Sequence, residues 1–153
     1  MAHFSDLEDA APALAARVRE RLDARVHKTL ATLRADGTPR ISGIETRWAD
    51  GDLWIGSMSA ARKALDLRRD PRFALHSGSD DPPDWTGDAK VSGRAVEEHD
   101  PDRRRLVLGD EHGDAHLFRL DLDEVSTVGL NEDRTGLVIE VWTPERGLRT
   151  VNR

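Results

Sequence analysis

The sequence contains no cysteine, which excludes disulfide bonds, thiolate metal sites and thiol nucleophiles. Tyrosine is also absent, and aromatic residues make up only 5% of the 153 residues. No apolar run approaches the roughly 20 residues that cross a bilayer, and Met1 to Asp9 lacks the basic and apolar regions of a secretion signal. These absences predict a soluble, cytoplasmic protein with no membrane partner, whose stability comes from its apolar core.

Positive charge is in deficit, with 23 Lys and Arg against 29 Asp and Glu and a net charge of -6. Such a chain has no general attraction for nucleic acid or anionic lipid, so we expect neither as a partner. The Gly-x-Ser-x-Gly elbow, the Gly-x-Gly-x-x-Gly loop and the P-loop are missing, and with them the local geometry of hydrolases, Rossmann proteins and NTPases. Any anion site must therefore be local.

Hydrophobic periodicity predicts an N-terminal helix followed by short strands. Between Ser5 and Ala24 apolar residues recur at steps of three and four, as in an amphipathic helix. Asp36-Gly37 and Asp50-Gly51 separate runs of period two, which is a strong hairpin signal. Predicted strands cover His27–Arg34, Pro39–Trp48, Leu53–Ser57, Arg72–Ser77, Asp88–Glu98, His116–Leu122, Val125–Leu130 and Gly136–Trp142. Further helices are predicted at Ala60–Arg69 and Pro101–Leu108.

Many short strands in meander order, with a short inserted helix, favour a small antiparallel barrel over a layered α/β sheet. We therefore predict a mainly β, α+β fold with six to eight antiparallel strands. The prediction is one domain over residues 1–153, with the helix at 5–24 and the barrel at 27–142. Closure of the barrel would leave no sheet edge unpaired.

The segment most informative for function follows the third predicted strand and reads Gly56-Ser57-Met58-Ser59-Ala60-Ala61-Arg62-Lys63. Two cations at a helix start are unfavourable, because the first turn already carries about half a positive charge. A bound phosphate reverses that sign, since free backbone N–H groups, hydroxyls and cations together bind it. We call Ser57, Ser59, Arg62 and Lys63 the phosphate cradle. In the ordinary alternative, Arg62 pairs with Asp66 and Lys63 is solvated.

Four segments carry a resemblance to a known family. They are Thr29–Arg40, Ala61-Arg62-Lys63, Leu67–Arg72 and Val91–Ala95. Their order and spacing over about the first hundred residues resemble the pyridoxamine 5'-phosphate oxidase-like, FMN-binding split-barrel family.

The resemblance implies a homodimeric split barrel that binds FMN, or the deazaflavin coenzyme F420, at the subunit interface. The phosphate is expected on Ser57, Arg62 and Lys63, and the ring system along the second predicted strand. The full set of expected cofactor-binding residues is Ser42, Gly43, Ile44, Glu45, Thr46, Arg47, Ser57, Met58, Ser59, Arg62, Lys63, Asp88 and Lys90. Gly43 would permit close approach of the ring, although a glycine within a strand equally marks a bulge.

The sequence departs from the family pattern in two places. Ala61 replaces a serine that would donate to the phosphate, so Ser57 or Ser59 must compensate. The C-terminal element used by true pyridoxamine phosphate oxidases has no counterpart in Trp142 to Arg153, which argues against vitamin B6 oxidation. Short Arg-rich chains like this one resemble the deazaflavin group more, and we favour the deazaflavin over FMN. Candidate cations for its anionic tail are Arg68, Arg69 and Arg72. On an ideal helix Arg69 falls on the Arg62 face, whereas Arg68 points toward the apolar face. Pairing of Arg69 with Asp66 is the alternative.

The leading hypothesis is an oxidoreductase in which FMN or the deazaflavin transfers a hydride to or from a small organic substrate, with no catalytic side chain. The alternatives are a non-catalytic carrier of the cofactor and a structural dimer. His112 and His116 have the spacing of a helical metal pair, but Gly113 disfavours a helix and we predict no metal site. The loop Gly78–Thr86 and the C-terminal third are expected to build the substrate pocket.

Overall fold

The computed structural model describes all of residues 1–153. Its four α-helices are α1 (Phe4–Ala10), α2 (Pro12–Asp23), α3 (Arg62–Arg69) and α4 (Pro101–Leu108), and a single 3-10 turn covers Asp110–His112. Its nine strands are β1 (Lys28–Leu33), β2 (Pro39–Ile44), β3 (Thr46–Ala49), β4 (Asp52–Ser57), β5 (Arg72–His76), β6 (Gly87–Glu97), β7 (His116–Leu130), β8 (Leu137–Thr143) and β9 (Gly147–Asn152).

All nine strands form one antiparallel sheet in which seven follow the order β2-β1-β5-β6-β7-β4-β3, while β8 pairs with β7 and β9 with β8. The 15-residue strand β7 is long enough to pair with different strands along its length. Its first half pairs with β4 and β6, and its second half pairs with β6 and β8. The mainly β, α+β prediction is confirmed, with nine strands instead of six to eight. The edge strands β2, β3 and β9 each have only one partner. The prediction that barrel closure leaves no sheet edge unpaired is therefore wrong.

The predicted N-terminal helix is two helices. Ala11 has φ -147° and ψ 67°, which is outside helical geometry, and it lies between α1 and α2. The cause is Pro12, whose ring disfavours the helical conformation of the preceding residue. Pro12 itself occupies the first turn of α2, where its missing N–H costs little.

Strand boundaries differ from prediction where the sheet changes direction or register. The predicted strand Pro39–Trp48 breaks at Glu45 into β2 and β3, and the predicted strands on either side of Asp123 are one continuous β7. The strand β9 follows the predicted end of the barrel at Trp142 and was not predicted. The helix Pro101–Leu108 has the predicted bounds.

A bulge between Ser92 and Gly93 shifts the register of β6 against β7, where Asp123 is the additional residue. A β-carbon on Gly93 would lie 1.9 Å from the carbonyl oxygen of Asp121, so only glycine fits this position. The strand glycine that marks a bulge is therefore Gly93. Gly43, in contrast, lies in a regular ladder opposite Thr29.

The core is one cluster of 24 buried apolar residues, to which helices and strands both contribute. Phe4, Leu14 and Leu22 of α1 and α2 are 0% exposed, and they pack among inward-facing strand residues such as Leu30 and Leu120. A smaller cluster lies under α4 and contains Trp54, Val107, Leu108 and Leu117.

Candidate cofactor-binding site

An open pocket of about 460 Å³ lies where β2, β4 and the start of α3 meet. It is lined by His27, Gly43, Ile44, Glu45, Gly56, Ser57, Met58, Lys63, Leu108, His112 and Ala115. Six of these belong to the predicted cofactor-binding set. The structure thus brings part of the phosphate cradle to the same pocket as the strand expected beneath the ring system.

Ser57 is the last residue of β4 and is 8% exposed. Its Oγ atom is buried and has no hydrogen-bond partner in the protein. A buried hydroxyl without a partner destabilises a protein by about 1 to 3 kcal/mol, so native structures rarely retain one without a reason. Ser57 lines the pocket, so rotation of its side chain would bring Oγ to a ligand bound there, whose oxygen would supply the missing partner.

The two cations of the cradle have different surroundings. Lys63 Nζ donates a 2.9 Å hydrogen bond to the carbonyl oxygen of Gly43, which links α3 to β2. Arg62 is exposed and forms neither a salt bridge nor a side-chain hydrogen bond. The N-cap residue Ala61 offers no capping side chain, so the first N–H groups of the eight-residue α3 lack a side-chain acceptor. Positive charge and free donors therefore converge at this helix start.

Asp66 does not pair with Arg62, contrary to the ordinary alternative from the sequence. Its carboxylate accepts hydrogen bonds from Arg40 Nε at 2.7 Å, from Thr32 Oγ1 at 2.9 Å and from Arg69 Nη2 at 3.3 Å. Burial raises the pKa of Asp66, but these hydrogen bonds outweigh it and hold the pKa below the ordinary value of 3.8. The contacts fix the middle of α3 to β1 and β2 and leave Arg62 free.

The cations considered for the deazaflavin tail all have protein partners. Arg68 binds the Glu97 carboxylate through Nε at 2.6 Å and Nη2 at 2.7 Å. Arg69 donates to the carbonyl oxygen of Leu33 as well as to Asp66, and Arg72 pairs with Asp70 at 2.6 Å. Pairing of Arg69 with Asp66, the ordinary alternative, is therefore present. None of these three arginines is a free cation beside the cradle.

The strand residues of the predicted set have varied environments. A β-carbon on Gly43 would meet no atom within 4 Å, so there is open space above this residue at the pocket wall. Glu45 lies 3.6 Å from His27 across the pocket mouth. Thr46 is half-buried and its Oγ1 lacks a partner, whereas Ser42 is half-buried and Arg47 is exposed. None of the last three lines the pocket.

Asp88 and Lys90 lie apart from this pocket within one chain. Lys90 lines a second cavity of about 300 Å³ on the outer face of β1, β5, β6 and β7. Asp88 Oδ2 is 3.5 Å from His76 Nε2, and the Gly78 N–H donates to His76 Nδ1 at 3.0 Å. His76 therefore lies between an acidic side chain and a backbone donor.

Sequence reasoning missed several pocket residues. Leu108, His112 and Ala115 come from the segment between β6 and β7, far along the chain from the cradle, and no local motif marks them. The loop 78–86, expected to build the substrate pocket, contributes none of the lining residues. His112 and His116 form no metal cluster, and no group of three or more His, Asp or Glu residues could hold an ion.

A comparison of the sequence with protein-family models identifies the family to which the chain belongs. The family model described as pyridoxamine 5'-phosphate oxidase matches residues 14–129, which include the cradle and the strands around the pocket. The chain belongs to the pyridoxamine 5'-phosphate oxidase family. This is a flavin-binding, oxidoreductase-like family, and membership confirms the resemblance seen in the sequence. The match ends before β8 and β9, so the C-terminal hairpin lies outside it.

Solved structures share the fold of this family member at low sequence identity. PhzG from Burkholderia lata, in complex with tetrahydrophenazine-1-carboxylic acid, superimposes with a TM-score of 0.65 at 17% identity, covering 94% of this chain and 87% of that one. A conserved hypothetical protein from Mycobacterium tuberculosis gives 0.62 at 22% identity, over 72% and 81% of the two chains. An FAD-binding protein from Mesorhizobium loti gives 0.57 at 23%, over 74% and 90%.

Curated proteins gave no significant sequence match to this family member. Its helices are all too short or too polar to cross a membrane.

Proposed function

We propose that the protein is a flavin-dependent oxidoreductase that binds FMN in the pocket between β2, β4 and α3. The observation that carries the proposal is the pocket that joins the unpartnered Ser57 hydroxyl to Lys63 and the open space above Gly43. Bound FMN would supply hydride transfer to or from a small organic substrate. The protein would supply binding, orientation and exclusion of water.

The residues of the cradle fit a phosphate monoester. Arg62, which has no protein partner, and the Lys63 ammonium would give two charge-assisted contacts, and Ser57 Oγ would gain the partner it lacks. The free N–H groups at the start of α3 add to this attraction. In this arrangement the Ser57 hydroxyl takes the place of the serine hydroxyl that is missing at Ala61.

FMN is favoured over coenzyme F420 by the charges around the cradle. The deazaflavin carries a longer polyanionic tail that needs further cations, yet Arg68, Arg69 and Arg72 are all bound to protein acceptors. The cradle alone is sufficient for one phosphate. We therefore propose FMN as the cofactor and treat F420 as the alternative that the binding experiment distinguishes.

We further propose that the protein is a homodimer whose interface completes the cofactor site. Ile41 is 75% exposed on β2 and lines the 300 Å³ cavity together with Ala31 and Ala74. An exposed isoleucine beside these small apolar residues is suited to contact with a second copy of the chain. A second copy would also account for the separation of Lys90 and Asp88 from the cradle within one chain.

The proposal is tested by titrating the purified protein with FMN, riboflavin and F420 and following fluorescence. We expect FMN to bind more tightly than riboflavin, which lacks the phosphate, and to bind more tightly than F420. Raising the salt concentration should weaken F420 binding more steeply than FMN binding, because the longer polyanion is screened more. Equal affinity for FMN and riboflavin contradicts the phosphate cradle, and tight F420 binding without FMN binding contradicts the choice of cofactor.

Turnover separates an enzyme from a carrier of the cofactor. With bound FMN reduced in advance, an oxidoreductase reoxidises it faster when a suitable small organic acceptor is added, and one molecule of reduced acceptor forms for each FMN that is reoxidised. A carrier shows the same rate with and without the acceptor. The absence of cysteine suits the reducing cytoplasm, where we expect this chemistry.

A further inference from the structure

His116 is a buried histidine outside the predicted cofactor-binding set. It begins β7 opposite Ser57 and is 8% exposed. Its Nε2 accepts the backbone N–H of Ala60 at 3.2 Å, and its Nδ1 lies 2.9 Å from Glu97 Oε1. A backbone N–H only donates, so Nε2 must be unprotonated and the ring proton must be on Nδ1, directed at Glu97.

Glu97 connects His116 to the helix that carries the cradle. Both of its carboxylate oxygens accept from Arg68, which lies near the end of α3. Burial raises the pKa of Glu97, but the hydrogen bonds from Arg68 and His116 outweigh it and lower the pKa below its ordinary value of 4.5. The carboxylate is therefore ionised at neutral pH and can accept from Arg68 and from His116 Nδ1 together.

Ala60 lies at the strained turn between β4 and α3. Its φ of 59° is in the left-handed region, which disfavours residues with a β-carbon by about 1 to 2 kcal/mol. The Ala61 N–H closes the turn on the Met58 carbonyl oxygen at 3.1 Å, and the Ala60 N–H is fixed by His116. The strain therefore persists because surrounding contacts determine this conformation.

The segment 60–68 is thus held at both ends by one connected network. Its first residue is bound by His116 and its ninth by Glu97, and the two anchors are hydrogen-bonded to each other. Arg62 and Lys63 lie between the anchors. A shift of either end would move both cations relative to the Ser57 hydroxyl.

We propose that His116, in its neutral Nδ1–H form, is a positioning residue for the phosphate cradle, acting through the Ala60 N–H and the Glu97–Arg68 pair. This inference rests on the proposed binding of the FMN phosphate. His116 does not line the pocket that holds Lys63 and Gly43, so we place its effect in the position of the cradle and not in contact with the cofactor. A side chain that accepts from Ala60 and donates to Glu97 should therefore replace it.

The test compares His116→Gln, which offers an amide oxygen to Ala60 and an amide N–H to Glu97, with His116→Leu, which offers neither. We expect H116Q to bind FMN within about threefold of the wild type and H116L to bind at least tenfold more weakly. Riboflavin, which has no phosphate, should bind equally to both variants. If the two variants bind FMN equally, whether tightly or weakly, the inference is overturned while the proposed function stands.

A second measurement on the wild-type protein does not depend on how the variants fold. The ¹⁵N chemical shifts of the His116 ring at neutral pH should show the neutral tautomer with the proton on Nδ1. A proton on Nε2, or a cationic ring, overturns the inference. If the wild type fails to bind FMN at all, the proposed function fails and the inference falls with it.

Discussion

Lys63 Nζ donates a 2.9 Å hydrogen bond to the carbonyl oxygen of Gly43, and so joins the helix that bears the cradle cations to the strand expected beneath the cofactor ring. The two residues are 20 positions apart in the chain and belong to different parts of the fold. Both line the same pocket, with Ser57 beside them. If the proposed cofactor binds here, phosphate binding at α3 and ring binding at β2 would be coupled through this one side chain.

Removing both cradle cations should weaken FMN binding strongly. We expect Arg62→Ala with Lys63→Ala to lower the affinity by about 2 to 4 kcal/mol, because two charge-assisted contacts are lost. The matched control is Arg146→Ala with Arg149→Ala, which removes the same charge from the exposed β8–β9 hairpin. Fluorescence titration of both double variants measures the difference. An equal loss in the control would mean that only overall charge matters.

The Ser57 hydroxyl should matter for binding and not for folding. Without its hydroxyl, Ser57→Ala should bind FMN about fivefold more weakly, equivalent to about 1 kcal/mol. The cofactor-free variant should be as stable as the wild type or slightly more stable, since a buried unpaired hydroxyl is removed. Calorimetry of the cofactor-free proteins and FMN titration give both values, with Ser79→Ala on the exposed loop as control. A marked loss of stability in S57A would show that the hydroxyl has a protein partner.

Filling the space above Gly43 should block the ring without harming the fold. A β-carbon there meets no atom within 4 Å, so we expect Gly43→Val to change the stability by less than about 1 kcal/mol. FMN and riboflavin should both bind at least tenfold more weakly, because the proposed site places the ring against the strand at this point. The matched control is Gly113→Val, because a β-carbon on Gly113 also meets no atom within 4 Å and Gly113 does not line the pocket. Unimpaired binding to G43V would place the ring elsewhere.

Asp66 should make stability depend on pH at the acid end. Its pKa in the folded protein lies below the ordinary 3.8, so its contribution is complete above about pH 4 and is lost as the pH falls through the folded pKa. Asp66→Asn should lower the free energy of unfolding by about 2 to 4 kcal/mol at pH 7, and this deficit should shrink below pH 4. Urea unfolding from pH 7 to pH 3 measures it, with Glu132→Gln as an exposed control. A deficit that stays constant with pH would contradict the ionised network.

The proposed dimer should depend on Ile41. Placing a charge at this position, as in Ile41→Asp, should yield a monomer at micromolar concentration and weaken FMN binding at least tenfold. The control is Leu106→Asp on α4, because Leu106 is 74% exposed and Ile41 is 75% exposed. Sedimentation velocity distinguishes the two species. A wild-type monomer, or a dimer that persists in I41D and dissociates in L106D, would exclude this face as the interface.

The sequence by itself determined the hairpin turns and the start of α4, because each depends on a few neighbouring residues. The Asp-Gly pairs predicted hairpin turns, and Gly37 and Gly51 have the positive φ values of 83° and 76° that such turns require. The helix from Pro101 to Leu108 begins at an aspartate cap, Asp100, which accepts from the Arg103 N–H at 2.8 Å. The small hydroxyl residues followed by Arg62 and Lys63 also predict an anion site at the start of α3, and this stays a prediction until FMN binding is measured.

Only the tertiary structure decided which partners these residues have. Asp66 is bound by Arg40 and Thr32 instead of Arg62, because the pairing of β1 with β2 brings those side chains to the helix. His116 meets Ala60 because β7 pairs with β4, across 56 positions of sequence. The continuity of β7 and the presence of β9 also depend on sheet pairing. Contacts such as that of His116 with Ala60 follow from the pairing of strands that are far apart in the chain, which no local pattern of residues encodes.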